Sequence, residues 1–229
     1  VIPVSPEPTF IEGVDLDLLR FRAMIGLTPD LVPAVYRAHE MQITITNPWP
    51  VPINGMASLT DTENWKIRPL RIPFTLQPGE SIEQPLSIVF DRAIVAGEQF
   101  IPMQVTVEGI EIDTIDVDLP VVIGWKDIDV AAIWRVETDP ATGRHDLLIR
   151  QFVTNRGVEP VQLDAFLRGQ GLGRQQRPLP RLAAGETTAR TFRVVDGVRR
   201  LAGQTLRYGV RERGGSAQLN RPLAIPAML

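Results

Sequence analysis

Five side chains of this 229-residue chain stand where they could grip a ligand: Arg168, Arg174, Arg177 and Arg181 around the glycine-rich run 169–173, and Trp49 between two prolines. Guanidinium groups suit carboxylates and phosphates, because a planar fork of N–H donors meets two oxygens at once. Phosphate-cradling loops work by delivering their glycines to a helix N-terminus. Here Gly173 is followed by Arg-Gln-Gln-Arg-Pro, where no helix begins. The run therefore reads as a hairpin tip flanked by arginines, and it is the first place at which this chain would hold an anion. Trp49, held by Pro48 and Pro50, is expected at the surface as an aromatic contact for a sugar or a partner. Trp134 alternates with Ala132 and Val136 and is expected in a core.

Other chemistries find no support. The only histidines, His39 and His145, are followed by Glu40 and Asp146. Neighbours along a strand point to opposite faces, so neither carboxylate orients its histidine, and both read as structural residues at strand ends. Glu108, Glu111, Asp113, Asp116 and Asp118 offer oxygens. Calcium takes about 6–8 of them from a wrapping loop, whereas Asp116 and Asp118 would sit about 7 Å apart along one strand. They read as a solvated edge that discourages edge-to-edge pairing. Cysteine is absent, which removes disulfides, thiolate catalysis and cysteine-bound zinc together. No nucleophile with a base, pair of catalytic carboxylates or dinucleotide fingerprint stands out. The expectation is a protein without catalytic, cofactor or metal site, and not an enzyme.

Charge is unevenly divided. Residues 128–229 hold sixteen Arg, no Lys and nine carboxylates, a balance of +7; residues 1–127 hold eight bases and eighteen carboxylates, a balance of −10. A net charge of −3 hides two opposed halves. Each sign can be spread over a solvated surface, the halves can attract one another, or the arginine-rich half can meet a polyanion or an acidic partner. No apolar run reaches the roughly 20 residues that span a bilayer, and 44% hydrophobic with 22% charged residues is the balance of a globular chain. A start at Val1, with no signal-peptide pattern, reads as a piece of a longer protein.

The elements that must carry these residues are written twice. Leu76-Gln77-Pro78-Gly79-Glu80 returns as Leu182-Ala183-Ala184-Gly185-Glu186; Thr46-Asn47 returns as Thr154-Asn155; Ala96-Gly97 returns as Ala202-Gly203. The offsets are 106, 108 and 106 residues in the same order, so one unit of about a hundred residues, the size of a small sandwich, is duplicated. Alternating runs predict strands near 40–46, 53–60, 70–76, 81–90, 99–108 and 110–119 in the first copy. In the second they fall near 128–136, 146–153, 160–168, 176–182, 187–195, 204–212 and 216–224. The run 14–27 alternates on both sides of a one-residue slip and also fits a helix capped by Asp15 or Asp17 and stopped at Thr28-Pro29; it is taken as a strand, by analogy with 128–137. The proline-rich 1–8 reads as an extended linker, and the prolines of 47–55 as a crossing between sheets. Gly124-Trp125-Lys126-Asp127 is the expected junction, a short semi-rigid hinge between domains 1–125 and 126–229.

These motifs carry a resemblance. A strand ending in Asn, Trp65-Lys66-Ile67, Phe74-Thr75-Leu76-Gln77-Pro78-Gly79-Glu80, Ala96-Gly97 and Val105-Thr106-Val107 together resemble the bacterial immunoglobulin-like modules of the NPCBM-associated and CARDB type. The resemblance covers 37–109 and, more loosely, 145–212. It implies an all-β fold of two tandem immunoglobulin-like antiparallel β-sandwiches, with Trp65 at a core position. It further implies a non-catalytic accessory module of a larger bacterial secreted or envelope protein, periplasmic or extracellular. Such a module would act as a spacer or by contacting a protein partner, other domains of its own chain, or a polyanionic or glycan surface, and not nucleic acid. The Phe-x-Leu-x-Pro-Gly signal at 74–79 is also similar to periplasmic pilus-type chaperones, two-sandwich proteins that anchor a client's C-terminus with an Arg and a Lys in the cleft between domains. The second half of this chain has no Lys.

Overall fold

The alternation of apolar and polar residues settles most of the architecture of the computed structural model, which describes residues 16–109 and 114–227. In β8 (Gly97–Glu108), Ile101, Met103, Val105 and Val107 face inward; in β9 (Thr114–Gly124), Ile115, Val117, Leu119, Val121 and Ile123 do the same. A period of two can bury one face of a strand only if a second sheet covers it, and each half of the chain supplies two sheets. In the first half, β1 (Ile25–Thr28), β3 (Ala38–Thr46), β7 (Ser81–Phe90) and β5 (Trp65–Arg68) form one sheet in the order β1-β3-β7-β5. The other has the order β2-β9-β8-β4-β6, with β2 (Leu31–Pro33), β4 (Ile53–Leu59) and β6 (Arg71–Leu76). Pairing is antiparallel throughout except for β2, which lies parallel to β9 over its last residues.

The second half repeats the plan. β10 (Ile128–Thr138), β11 (His145–Asn155) and β14 (Thr187–Val194) form a three-stranded sheet, matching β1-β3-β7. β13 (Leu172–Pro178), β12 (Leu163–Gly169), β15 (Thr205–Glu212) and β16 (Gln218–Ala224) form the order β13-β12-β15-β16, matching β6-β4-β8-β9. The fold is all-β, of immunoglobulin-like antiparallel sandwiches. No sheet among the described residues draws strands from both halves. Two apolar clusters form, one within the first half around Phe21, Ile43, Ile67 and Ile88, the other around Leu147, Ile149, Phe192 and Leu206 of the second half and joined by Ala96 of the first. The turn at 125–127 connects β9 to β10, and the Trp125 ring packs on the second cluster.

The duplicated anchors meet in space. Asn47, fully buried, donates from Nδ2 to the carbonyls of Val51 and Leu76, accepts Trp49 N–H at Oδ1, and accepts Gly79 N–H at its own carbonyl. Asn155, equally buried, donates to the carbonyls of Glu159, Leu182 and Ala183, accepts Gly157 N–H, and accepts Gly185 N–H. Glu80 and Glu186 close the same turn by accepting the N–H of Gln77 and of Ala183. Gly79 and Gly185 sit at φ 75° and 73°, a left-handed conformation that costs glycine nothing in sterics.

Three expectations need correction. Residues 14–27 are not one strand: α1 (Leu16–Ala23) is a helix and β1 follows it. What decides is Phe21, fully buried and 4.9 Å from the Trp49 ring, with the remaining helix residues turned outward or half-buried. The strand expected at 176–182 lies at 172–178, because the β12–β13 connection is only Gln170-Gly171, with Gly171 at φ 66°. β5, unassigned by alternation, pairs with β7 from Trp65 to Arg68. The linker expected at 1–8 and residues 110–113, with Glu111 and Asp113, lie outside the described residues.

Candidate functional site

An arginine on a strand exposes its charge only if its face is left open. The outer face of the sheet β13-β12-β15-β16 is such a face. Register pairs Arg168 with Arg207, Phe166 with Gly209 and Asp164 with Arg211 across β12 and β15. Gly209 keeps the middle of this face flat, since a Cβ there would overlap the Leu219 carbonyl and press on the Phe166 ring. Arg174, reaching over from β13, lies with its guanidinium carbon 5.0 Å from the Phe166 ring centre, a cation–π contact.

The first half of the chain covers this face and leaves a cleft. Its wall is made by Ala34, Val35 and Tyr36 and by the loop 91–96. Asn220 of β16 donates from Nδ2 to the carbonyls of Arg92 (2.9 Å) and Ile94 (2.8 Å), and its own carbonyl accepts Ala96 N–H. Gln218 adds a bond to the Arg92 carbonyl and one from its N–H to the Ala34 carbonyl. Arg92 stacks on Tyr36 at 4.7 Å. The space enclosed is about 330 Å³, lined by Arg92, Arg168, Arg174, Arg207 and Arg211 with Asp91 as its one carboxylate among the described residues.

Electrostatically the cleft is uncompensated. Among the described residues, the side chains of Arg168, Arg207 and Arg211 make no ion pair or hydrogen bond. Asp164, opposite Arg211, is taken by Arg213 at 3.0 Å and by Gln176 at 2.8 Å. Asp91 accepts the Ala93 N–H. Burial, and then the neighbouring charges of Arg211 and Arg168, pull the Arg174 guanidinium below its ordinary value. Arg174 and Arg92, laid on Phe166 and Tyr36, and the unpaired Arg168, Arg207 and Arg211 beside them offer donors for an anion.

Of the residues singled out in sequence, Arg168 and Arg174 come together here. Arg177 points to the opposite face of β13, near the Phe192 ring at 5.8 Å, and Arg181 lies beyond β13 outside the cleft. Trp49 is buried, 8% exposed, under Phe21, so its expected role as a surface contact is withdrawn; Pro48 and Pro50 bracket a turn that the Asn47 side chain pins inward. Trp65 packs in the first core as expected, whereas Trp134, expected in a core, is only partly buried against the second cluster, as is Trp125. Arg207 and Arg211 join Arg168 and Arg174, and the signal for this in sequence is Arg-x-Gly-x-Arg at 207–211, which on an alternating strand puts both on one face. Arg92 had no such signal, because only the approach of the two halves brings it near.

His39 is buried in β3 and bonds the Val35 carbonyl at 2.8 Å; His145 is exposed at the start of β11 beside Thr138. No group of three metal-ligating side chains occurs among the described residues. Asp116 and Asp118 project outward from β9.

No protein-family model matches this chain, and no curated protein does. Solved structures similar to it include the YadV chaperone, at 12% identity over 87% of this chain and 100% of that one, TM-score 0.29. The CupB2 chaperone of Pseudomonas aeruginosa matches at 12% over 87% and 100%, TM-score 0.27. Red sea bream transglutaminase matches at 12% identity over 88% of this chain and 31% of that one, TM-score 0.37. Similarity this distant carries no functional argument. No helix among the described residues is long and apolar enough to cross a membrane.

Proposed function

We propose that the chain is a non-catalytic pair of immunoglobulin-like domains, 1–125 and 126–229, in a larger bacterial secreted or envelope protein, and that it docks an anionic group of a protein or glycan partner in the cleft between them. The observation that carries this reading is the set Arg168, Arg207 and Arg211, unpaired among the described residues and lining one solvent-open cleft with Arg174. Charges left without partners on a rigid sheet cost stability through mutual repulsion, and an anionic partner repays that cost. The resemblance to NPCBM-associated and CARDB modules supports the accessory role and the periplasmic or extracellular setting.

The test is retention on an immobilised polyanion such as heparin. Wild-type protein is expected to elute at distinctly higher salt than the triple variant R168Q/R207Q/R211Q, with R177Q, outside the cleft, eluting like wild type. Equal elution of all three proteins overturns the reading. Turnover of substrates in a hydrolase or transferase panel by the purified protein would overturn its non-catalytic part.

A second reading is a pilus-type chaperone, favoured by the placement of the arginines between two sandwich halves. Against it stands the solvated acidic edge of β9, with Asp116 and Asp118 outward. A client peptide co-purifying with the wild-type protein and lost from the triple variant would favour this second reading.

A further inference from the structure

We infer that the cleft selects a phosphate monoester in its doubly charged form, carried on a small body of about monosaccharide size. This rests on the reading of the cleft as an anion site and adds the class of anion. Three features of the cleft point to it.

The first is charge. Five arginines line the cleft against the single carboxylate of Asp91, which is engaged by the Ala93 N–H. A monocarboxylate offers one charge and two oxygens, and leaves most of these cations facing one another. A phosphate monoester above pH 6 carries nearly two charges and three acceptor oxygens, enough to engage guanidinium forks from β12, β13 and β15 together.

The second is rigidity. Arg168 and Arg207 are partners in register on adjacent strands, with Arg211 two positions beyond the Gly209 gap. Arg174 is held flat on Phe166 and Arg92 on Tyr36. The loop that carries Arg92 is fixed by Asn220. Arg174 and Arg92, each laid on a ring, lose little freedom when an anion arrives, and the register sets Arg168 and Arg207 side by side as further donors.

The third is size. A volume of about 330 Å³ lies at the bottom of the range of roughly 300–1,000 Å³ usual for small-molecule sites. It admits the phosphate and a body such as a sugar ring or a single amino acid, and excludes a folded chain.

The titratable groups lining the cleft from every side are the five arginines, Tyr36 and Asp91. No histidine is among them. Any change of affinity between about pH 5 and 8 therefore reports on the ligand, whose second ionisation falls near pH 6.

Calorimetric titration at fixed ionic strength would use glucose 6-phosphate, phosphoserine, inorganic sulfate, acetate and a short peptide with a free C-terminus. Glucose 6-phosphate and phosphoserine are expected to bind, at least about tenfold more tightly than acetate or the peptide. Their affinity is expected to rise as pH is raised from 5 to 7.5, while that of sulfate stays level. R168Q and R207Q, each checked for wild-type thermal unfolding, are expected to weaken phosphate binding about tenfold, and R177Q to leave it unchanged. If one of the two phosphate compounds binds and the other does not, the body is thereby identified and the inference stands. Arginine-dependent binding of acetate or the peptide that equals the phosphate compounds overturns the inference and leaves the cleft an anion site. Binding of none of these anions overturns both.

Discussion

Asn47 and Asn155 use both the donors and the acceptor of their side chains on the backbone around them, and this is why an amide is required at each. Alanine at either position would leave buried carbonyls and an N–H without partners, each costing about 1–3 kcal/mol. Asn47→Ala and Asn155→Ala are each expected to lower unfolding stability by about 2–4 kcal/mol in urea titrations, far more than a surface Asn→Ala control. These residues were legible because Asn, a turn glycine and the following Glu all lie within one copy and recur in the same order at nearly the same spacing. Asp146 was legible only as the neighbour of a histidine. It is buried, and the Asp196 N–H, followed by Arg193 at 2.8 Å, holds its carboxyl below the ordinary aspartate range. A folded value below the unfolded one, about 3.9, means that its stabilisation is whole above that pH and is lost as pH falls through the folded value. Asp61, Asp129 and Asp139 are shifted the same way. Denaturant midpoints measured from pH 6 to pH 2 should fall steeply below pH 4 in the wild type; Asp146→Asn should start lower at pH 6 and fall less.

At the scale of elements, a period of two suffices where both neighbours of a strand are fixed and fails where a single contact chooses the conformation. Strands β3, β4, β7, β8, β15 and β16 lie within two residues of where alternation puts them. α1 does not, because the 14–27 pattern fits a strand as well as a helix and the choice is made by Phe21 meeting Trp49, a contact no local pattern records. β13 was displaced by its tight turn: Gly169 belongs to β12, and a Cβ there would collide with Leu206, so the glycines serve close packing as well as the hairpin. β9 shows the reverse, a strand whose outward residues matter. Among the described residues, β8 alone pairs with it over 114–121, with β2 beside 122–124, and Asp116 and Asp118 stand on its solvent face, Asp116 accepting from Gln104. Charges on such an edge discourage addition of another strand. The double variant D116V/D118V should keep its fold by circular dichroism, yet give larger species than wild type in light scattering as concentration is raised.

For the whole molecule, the informative number in the sequence was the division of charge, −10 against +7. It pointed to the arginine-rich half but not to the cleft, because the cleft wall includes Tyr36, Asp91 and Arg92 from the other half. Those meet the arginines across a seam to which Gln218 and Asn220 contribute side-chain bonds, with a Val35–Ala217 bridge beside them. Asn220→Ala removes both side-chain bonds to the loop 91–96 while leaving the Ala96 N–H bond to the residue 220 carbonyl. This variant is expected to cleave faster within 91–96 in limited proteolysis and to show a larger radius of gyration in X-ray scattering, with the strand content unchanged. The paired latches also bear on how such a chain is made. Translation delivers Asn47, Gly79 and Glu80 long before Asn155, so the earlier latch can shut while the later one is still unmade. Gln218 and Asn220 follow both latches in the chain, so their bonds to the carbonyls of residues 34, 92 and 94 can form only after synthesis has passed both.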